Sequence, residues 1–257
     1  AASMLLAGGP GVVSSDAPLH TQAVLTTDRM FLGAGTSIAI SPQGDQMVFV
    51  GGDPAEPDGV QLWSRSLSDP TFTVLAPSLA YAPFFSPDGE WVGFVSPNAL
   101  QKVPVTGGTP LTLTEVSRSR GASWGANGTI VFAASPNSGL SLVSAEGGTP
   151  TELTTLDEEA GEVTHRWPHF FPDGRHVLFT SLSTAADFDR ATLEVVDVDS
   201  GERKVVHRGG SYGRYLPTGH LVYFNDGTLF AVPFDADTLE VTGSSVPVVN
   251  AVEGASF

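Results

Sequence analysis

Ser86-Pro87-Asp88-Gly89-Glu90-Trp91-Val92-Gly93-Phe94 joins a tight turn to a short apolar strand. Proline fixes φ where position i+1 of a type I turn needs it. Aspartate suits i+2, and glycine accepts the positive φ that follows. The pattern returns as Phe171-Pro172-Asp173-Gly174, followed by Arg175-His176-Val177-Leu178-Phe179. Looser copies are Ser41-Pro42-Gln43-Gly44, Gly125-Ala126-Asn127-Gly128 and Leu216-Pro217-Thr218-Gly219. The turn glycines stand at 44, 89, 128, 174 and 219, spaced by 45, 39, 46 and 45 residues. A period of about 40–50 residues, with several short strands per unit, marks the blades of a β-propeller.

Composition agrees. The chain has 257 residues, 41% of them hydrophobic, with 29 glycines and 19 prolines to make turns. That is enough for one large all-β domain. A net charge of −16, from 28 acidic and 12 basic side chains, excludes a basic nucleic-acid surface. It also argues against docking on an anionic membrane. With no cysteine, disulfides, thiolate metal sites and cysteine nucleophiles are ruled out. Ala1-Ala2-Ser3-Met4-Leu5-Leu6-Ala7 is apolar but too short to span a bilayer, and it lacks a basic flank. It reads as the remnant of a hydrophobic anchor or as a tail. Residues 1–20 as a whole read as an apolar or flexible N-terminal remnant or linker.

Residues 21–257 read as propeller, in four-stranded antiparallel blades. Thr21–Thr27 is a candidate strand for completing the last blade. Five blades run approximately over 36–78, 79–116, 117–157, 163–208 and 211–250. Gly107-Gly108-Thr109-Pro110 and Gly147-Gly148-Thr149-Pro150 stand at matching places in blades two and three, as two-residue hairpin turns would. Gly254-Ala255-Ser256-Phe257 matches the opening of blade three, Gly121-Ala122-Ser123-Trp124, so a sixth blade begins at 254–257 and the ring is incomplete. Two columns of large apolar residues recur and read as core: Ile40, Phe85, Trp124, Phe170 and Tyr215 before the turns, and Phe49, Phe94, Phe132, Phe179 and Tyr223 after them.

The Ser-Pro-Asp-Gly turn with its following strand and the Gly-Gly outer hairpin resemble the TolB-like, WD-repeat-related propellers of bacteria. The run from His165 to Phe179 is similar to the propeller of bacterial membrane serine/threonine protein kinases, as is Gly213 to Tyr223 continuing through Gly227-Thr228-Leu229-Phe230 to Asp235. The resemblance implies a non-catalytic interaction or sensor module, extracytoplasmic and tethered through an N-terminal anchor. Similar repeats precede the hydrolase domain of prolyl oligopeptidase-type peptidases, and stand-alone TolB-like propellers bind proteins in the cell envelope. No kinase motif is present: Gly33-Ala34-Gly35 is not a phosphate loop.

Catalytic and metal motifs do not stand up. Gly121-Ala122-Ser123-Trp124-Gly125 fits G-x-S-x-G, but a strand follows it where a nucleophile elbow needs a helix. His165 and His169 flank Pro168, and in a strand they lie roughly 13 Å apart, too far for one ion. Asp197-Val198-Asp199-Ser200-Gly201 fails the calcium-loop pattern, having Glu202 at position six and Arg208 at twelve. No catalytic residue, cofactor or metal ligand is expected. The chemistry-bearing feature is a set of cations at the starts of inner strands, at one end of the central channel. Tyr81, Arg120 and Arg166 share a register eight residues before their turn glycines. Arg118, His165, Tyr212 and Arg214 stand close by in sequence. Such a mouth suits a small anionic molecule, a peptide carboxylate or a protein. The alternative is that each arginine pairs with an acidic loop such as 157–162.

Overall fold

The computed structural model describes residues 38–52, 59–69, 71–76, 80–184 and 187–250, and the backbone of Met30–Phe31. Every described element is a strand, and the strands form five antiparallel sheets arranged as a propeller. Blade one holds β1 (Met30–Phe31), β2 (Ile38–Ile40), β3 (Gln46–Gly52), β4 (Gln61–Ser66) and β5 (Thr73–Ala76). β1 and β2 both pair with β3, at its two ends, and share the innermost position. Blade two holds β6 (Tyr81–Phe85), β7 (Trp91–Val95), β8 (Ala99–Pro104) and β9 (Leu111–Glu115). Blade three holds β10 (Ala122–Trp124), β11 (Thr129–Ala133), β12 (Leu140–Ser144) and β13 (Thr151–Glu152). Blade four holds β14 (Thr164–Phe170), β15 (His176–Leu182), β16 (Thr192–Asp197) and β17 (Arg203–Arg208). Blade five holds β18 (Ser211–Leu216), β19 (His220–Asn225) and β20 (Thr228–Asp235), with β21 (Glu240–Val241) and β22 (Val246–Val249) both on β20. The anchor remnant and linker at 1–20, the strand Thr21–Thr27 and the sixth-blade start at 254–257 lie outside the described residues.

The repeated turn is built as its residues require. In all five blades the glycine amide donates to the carbonyl three residues earlier, at 2.9–3.1 Å, and its φ lies between 67° and 77°. Ser41 and Ser86 add a hydroxyl that accepts from the strand amides of Gln46 and Trp91. Consecutive turns are tied together: the Gln43 amide donates to the Asp88 carbonyl at 3.0 Å, and Asn127 to that of Gly174 at 3.5 Å.

The Gly-Gly pairs work differently from the sequence expectation. The connection from β8 to β9 spans six residues, and Gly107 is the last residue of a turn whose amide reaches Pro104. Gly147 repeats this on Ser144. Gly148 then donates to Leu113 of blade two, so the second glycine of blade three serves packing between blades.

The core lies between blades. Phe49, Phe94, Phe132 and Phe179 are all but sealed from solvent and Tyr223 is buried, so the column after the turns is core as its register implies. Each ring buried this way stabilises the fold by about 1.5–3 kcal/mol. The column before the turns is mixed. Phe170 is buried, Phe85, Trp124 and Tyr215 are half-buried, and Ile40 is 59% exposed. These residues face the axis as well as the blade interfaces.

Candidate functional site

The five innermost strands surround an axial cavity of about 530 Å³. Its walls follow the register counted back from each turn glycine. They begin seven residues before it, at Ala82, Gly121, Trp167 and Tyr212, and end two before it, at Pro42, Pro87, Ala126, Pro172 and Pro217. The cavity therefore lies on the turn side of the ring. At its inner limit the inner strands of blades two, four and five share an irregularity. The ladder slips between Tyr81 and Phe84, between Arg166 and His169, and between Ser211 and Arg214. Ala82, Trp167 and Tyr212 take φ of 50°, 52° and 56° there, and Gly121 takes 103°. A β-bulge adds one residue and sharpens the local twist. Pro83 and Pro168 sit inside two of these bulges, where a residue without an N–H loses no ladder bond. The bulges release groups that then join blades: Trp167 N–H donates to the Arg120 carbonyl at 2.8 Å, and Arg214 Nη1 to the Trp167 carbonyl at 3.1 Å.

One register beyond the bulges, on the other side from the turns, is a polar collar. Its members eight residues before the glycine are Tyr81, Arg120, Arg166 and Ser211, with Arg118 beside them. Arg118 is exposed and has φ of 55°. Arg166 is only 4% exposed; its guanidinium lies 5.9 Å from the Trp167 ring and 5.6 Å from Phe188, and its Nε makes a long bond to Thr164. Burial, helped by the charge of Arg120, pulls Arg166 down to about 10. Tyr81 donates to the Ser96 carbonyl at 3.2 Å. Burial pushes its phenol up, and the charges of Arg120 and Arg118 pull against that.

No ion pair among the described residues engages Arg118, Arg120, Arg166 or Arg214. The lysines and arginines that do pair are Lys102, Arg175, Arg190, Arg203 and Lys204. No carboxylate of the acidic loop 157–162 pairs with a collar arginine, and the most buried of them, Glu162, is committed elsewhere. Glu162 binds Arg203 and His165, and Arg203 also binds Glu194. Burial pushes Glu162 up, but the hydrogen bonds from Arg203 and the Asp157 amide outweigh it and bring the carboxyl down to about 2. Of the three sealed side-chain polar atoms without a hydrogen-bond partner among the described residues, Arg120 Nε and Ser211 Oγ belong to collar members, and Ser119 Oγ stands between Arg118 and Arg120 in the chain.

The predicted mouth residues thus divide. Tyr81, Arg118, Arg120 and Arg166 meet at the collar, whereas Tyr212 and Arg214 line the axial cavity on the other side of the bulges. His165 does neither. It is 0% exposed, with Nδ1 against Thr154 Oγ1 at 2.8 Å and Nε2 against Glu162 at 3.1 Å, and its ring packs on Phe179. It fixes the contact between blades three and four. Burial, aided by Arg203, lowers it to about 4. Sequence reasoning missed Ser119, Ser211 and Phe188. Ser211 was visible as the blade-five member of the Arg120 register; Phe188 comes from a loop with no repeat.

Ser123 of the G-x-S-x-G run lies in β10 and its hydroxyl accepts from the Phe170 amide at 3.1 Å, a bond between blades. No cluster of three or more His, Asp or Glu side chains among the described residues is spaced to hold a metal ion.

Fold and site together define a β-propeller domain of five described blades with an axial cavity and a cationic collar. Solved structures share that fold. A protein assigned as a TolB from Agrobacterium tumefaciens aligns over 82% of this chain and 79% of its own, with 21% identity and a TM-score of 0.60. TolB from Acinetobacter baumannii aligns over 80% of this chain and 53% of its own, with 17% identity and a TM-score of 0.62. Dipeptidyl peptidase 4 from Porphyromonas gingivalis aligns over 83% of this chain but 39% of its own, with 12% identity and a TM-score of 0.51. No protein-family model and no curated protein matches the sequence.

Proposed function

We propose that this domain is a non-catalytic interaction or sensor module that captures an anion, as a small molecule or a peptide or protein carboxylate, at its collar. The observation that carries this reading is the concentration of Arg118, Arg120 and Arg166 at one end of the axis, without carboxylate partners among the described residues, in a chain of net charge −16. The charge of half-buried Arg120 acts on the buried Arg166 guanidinium, and an anion that accepts from both removes that repulsion. The sealed, unpartnered Ser119 Oγ, Arg120 Nε and Ser211 Oγ point the same way. By sequence resemblance, the module is the extracytoplasmic part of a bacterial membrane serine/threonine kinase. The likeness to TolB folds supports a stand-alone envelope scaffold, and the likeness to a peptidase propeller supports a gating domain beside a hydrolase.

Calorimetric titration with inorganic phosphate at constant ionic strength tests the collar. Saturable binding is expected, weakened at least about tenfold in an Arg120→Ala, Arg166→Ala double variant. Equal affinity in both proteins, or no binding to the parent, would end the proposal.

A further inference from the structure

The axial cavity is chemically unlike the collar. Five residues before the turn glycine, its wall splits into two halves. Blades one and two contribute Ala39 and Phe84, while blades three, four and five contribute Ser123, His169 and Arg214 in succession. The layer one residue nearer the turns is apolar and mostly aromatic throughout: Ile40, Phe85, Trp124, Phe170 and Tyr215. Proline at four of the five turns rims the opening. The described walls carry no carboxylate and a single full cation, Arg214.

The polar arc has capacity to spare. Arg214 is held over the Tyr212 ring at 4.0 Å, and its Nη1 is committed to the carbonyls of Trp167 and Gly213. Neither its Nε nor its Nη2 has a hydrogen-bond partner among the described residues. Fixed in this way, the guanidinium loses little further freedom on binding a ligand. Ser123 Oγ accepts from the Phe170 amide, which leaves its own hydrogen free to donate. His169 Nε2 donates to the Tyr215 carbonyl at 3.4 Å, so Nδ1 is a bare acceptor. Burial, reinforced by Arg214, holds His169 down at about 3, so the ring is neutral at ordinary pH.

We infer that this cavity is a second binding site, separate from the collar, for a compact aromatic carboxylic acid. The carboxylate lies on Arg214 and Ser123 while the ring packs against the apolar half formed by blades one and two. A cavity near 530 Å³ falls within the ~300–1,000 Å³ range of ligand pockets and admits a group of this size. A dianion is disfavoured because only one guanidinium is present. An uncharged hydrocarbon would leave that guanidinium desolvated and unpaired. An aromatic residue at a peptide C-terminus presents the same carboxylate and ring, and adds an amide N–H within the compass of His169 Nδ1.

The probes are N-acetyl-L-tryptophan, its carboxamide, and indole-3-propionate, titrated into the intact chain by calorimetry. N-acetyl-L-tryptophan should bind at least about tenfold more tightly than the carboxamide. Arg214→Gln should erase that preference. Ile40→Glu places a negative charge on the exposed rim and should weaken the acid without touching the Arg214 contacts. Indole-3-propionate binding as well as N-acetyl-L-tryptophan identifies a free aryl acid as the ligand type; markedly weaker binding identifies a peptide end. Both results support the site. Failure of both acids to bind, or equal affinity for acid and carboxamide, overturns it. The phosphate response of the collar should survive Arg214→Gln, so the two sites fail independently.

Discussion

At the residue scale, buried His165 and half-buried His169 carry a consequence that acid can expose. His165 and His169 lie well below their ordinary value in the folded chain, at about 4 and about 3, and burial is the main cause for each. The unfolded chain takes up their protons first, near pH 6.5. Stability from these two groups is therefore present above about pH 6.5 and falls as the pH drops towards 4, by up to about 1.4 kcal/mol per pH unit for each histidine. Chemical denaturation at pH 7, 6, 5 and 4 should show that loss. His165→Gln should flatten the slope by about one proton, and an unchanged slope would mean that His165 is not buried neutral. Little of this was legible in the sequence. The His165-x-x-x-His169 spacing identified two notable residues, but not that one closes an interface while the other faces the axis. That division depends on the bulge between them, which shifts the ladder from Arg166 to His169.

At the element scale, the informative feature is the bulge repeated in the inner strands. The turns were legible because Pro, Asp and Gly each have a steric reason to occupy their places, and all five turn glycines take the positive φ assigned to them. The bulge was only partly legible. Pro83 and Pro168 mark it in blades two and four, but Gly213 holds the same place in blade five and sends no such signal. Its position decides the site, because it separates collar from cavity and so divides residues that are neighbours in sequence, such as Ser211 and Tyr212. Ala82, with φ of 50°, supplies a test. An alanine held in the left-handed region costs about 1–2 kcal/mol relative to an ordinary conformation, and glycine does not carry that cost. Ala82→Gly should thus leave stability unchanged or raise it by up to about 1 kcal/mol in urea unfolding. In a regular strand the same change destabilises by roughly 0.5–1 kcal/mol. A loss of that size would show that the bulge is absent.

At the scale of the whole molecule, burial is uneven around the ring. The third strand of blade four, β16, is buried over Leu193–Val196, whereas its counterpart β20 in blade five is half-buried over Thr228–Ala231. Val246, Val248 and Val249 on β22 are 54%, 56% and 47% exposed. An apolar edge strand of this kind pairs with other chains. Sedimentation velocity should show association rising with concentration, and Val248→Lys should reduce it; identical behaviour of the two proteins would remove the edge as its cause. Blade count and strand order among the described residues were legible because the repeat restates them five times. Which end of the axis holds which chemistry was not, since that depends on packing between blades and on loops such as the one bearing Phe188, which occur once. The central claim, that the collar is an anion site, is tested most directly by the anomalous signal of crystals soaked in selenate. A peak is predicted at the collar, within hydrogen-bonding distance of the Arg120 and Arg166 guanidinium groups, and it should vanish in the double alanine variant. A collar without a peak, its arginines paired with carboxylates of the same chain, would contradict the account.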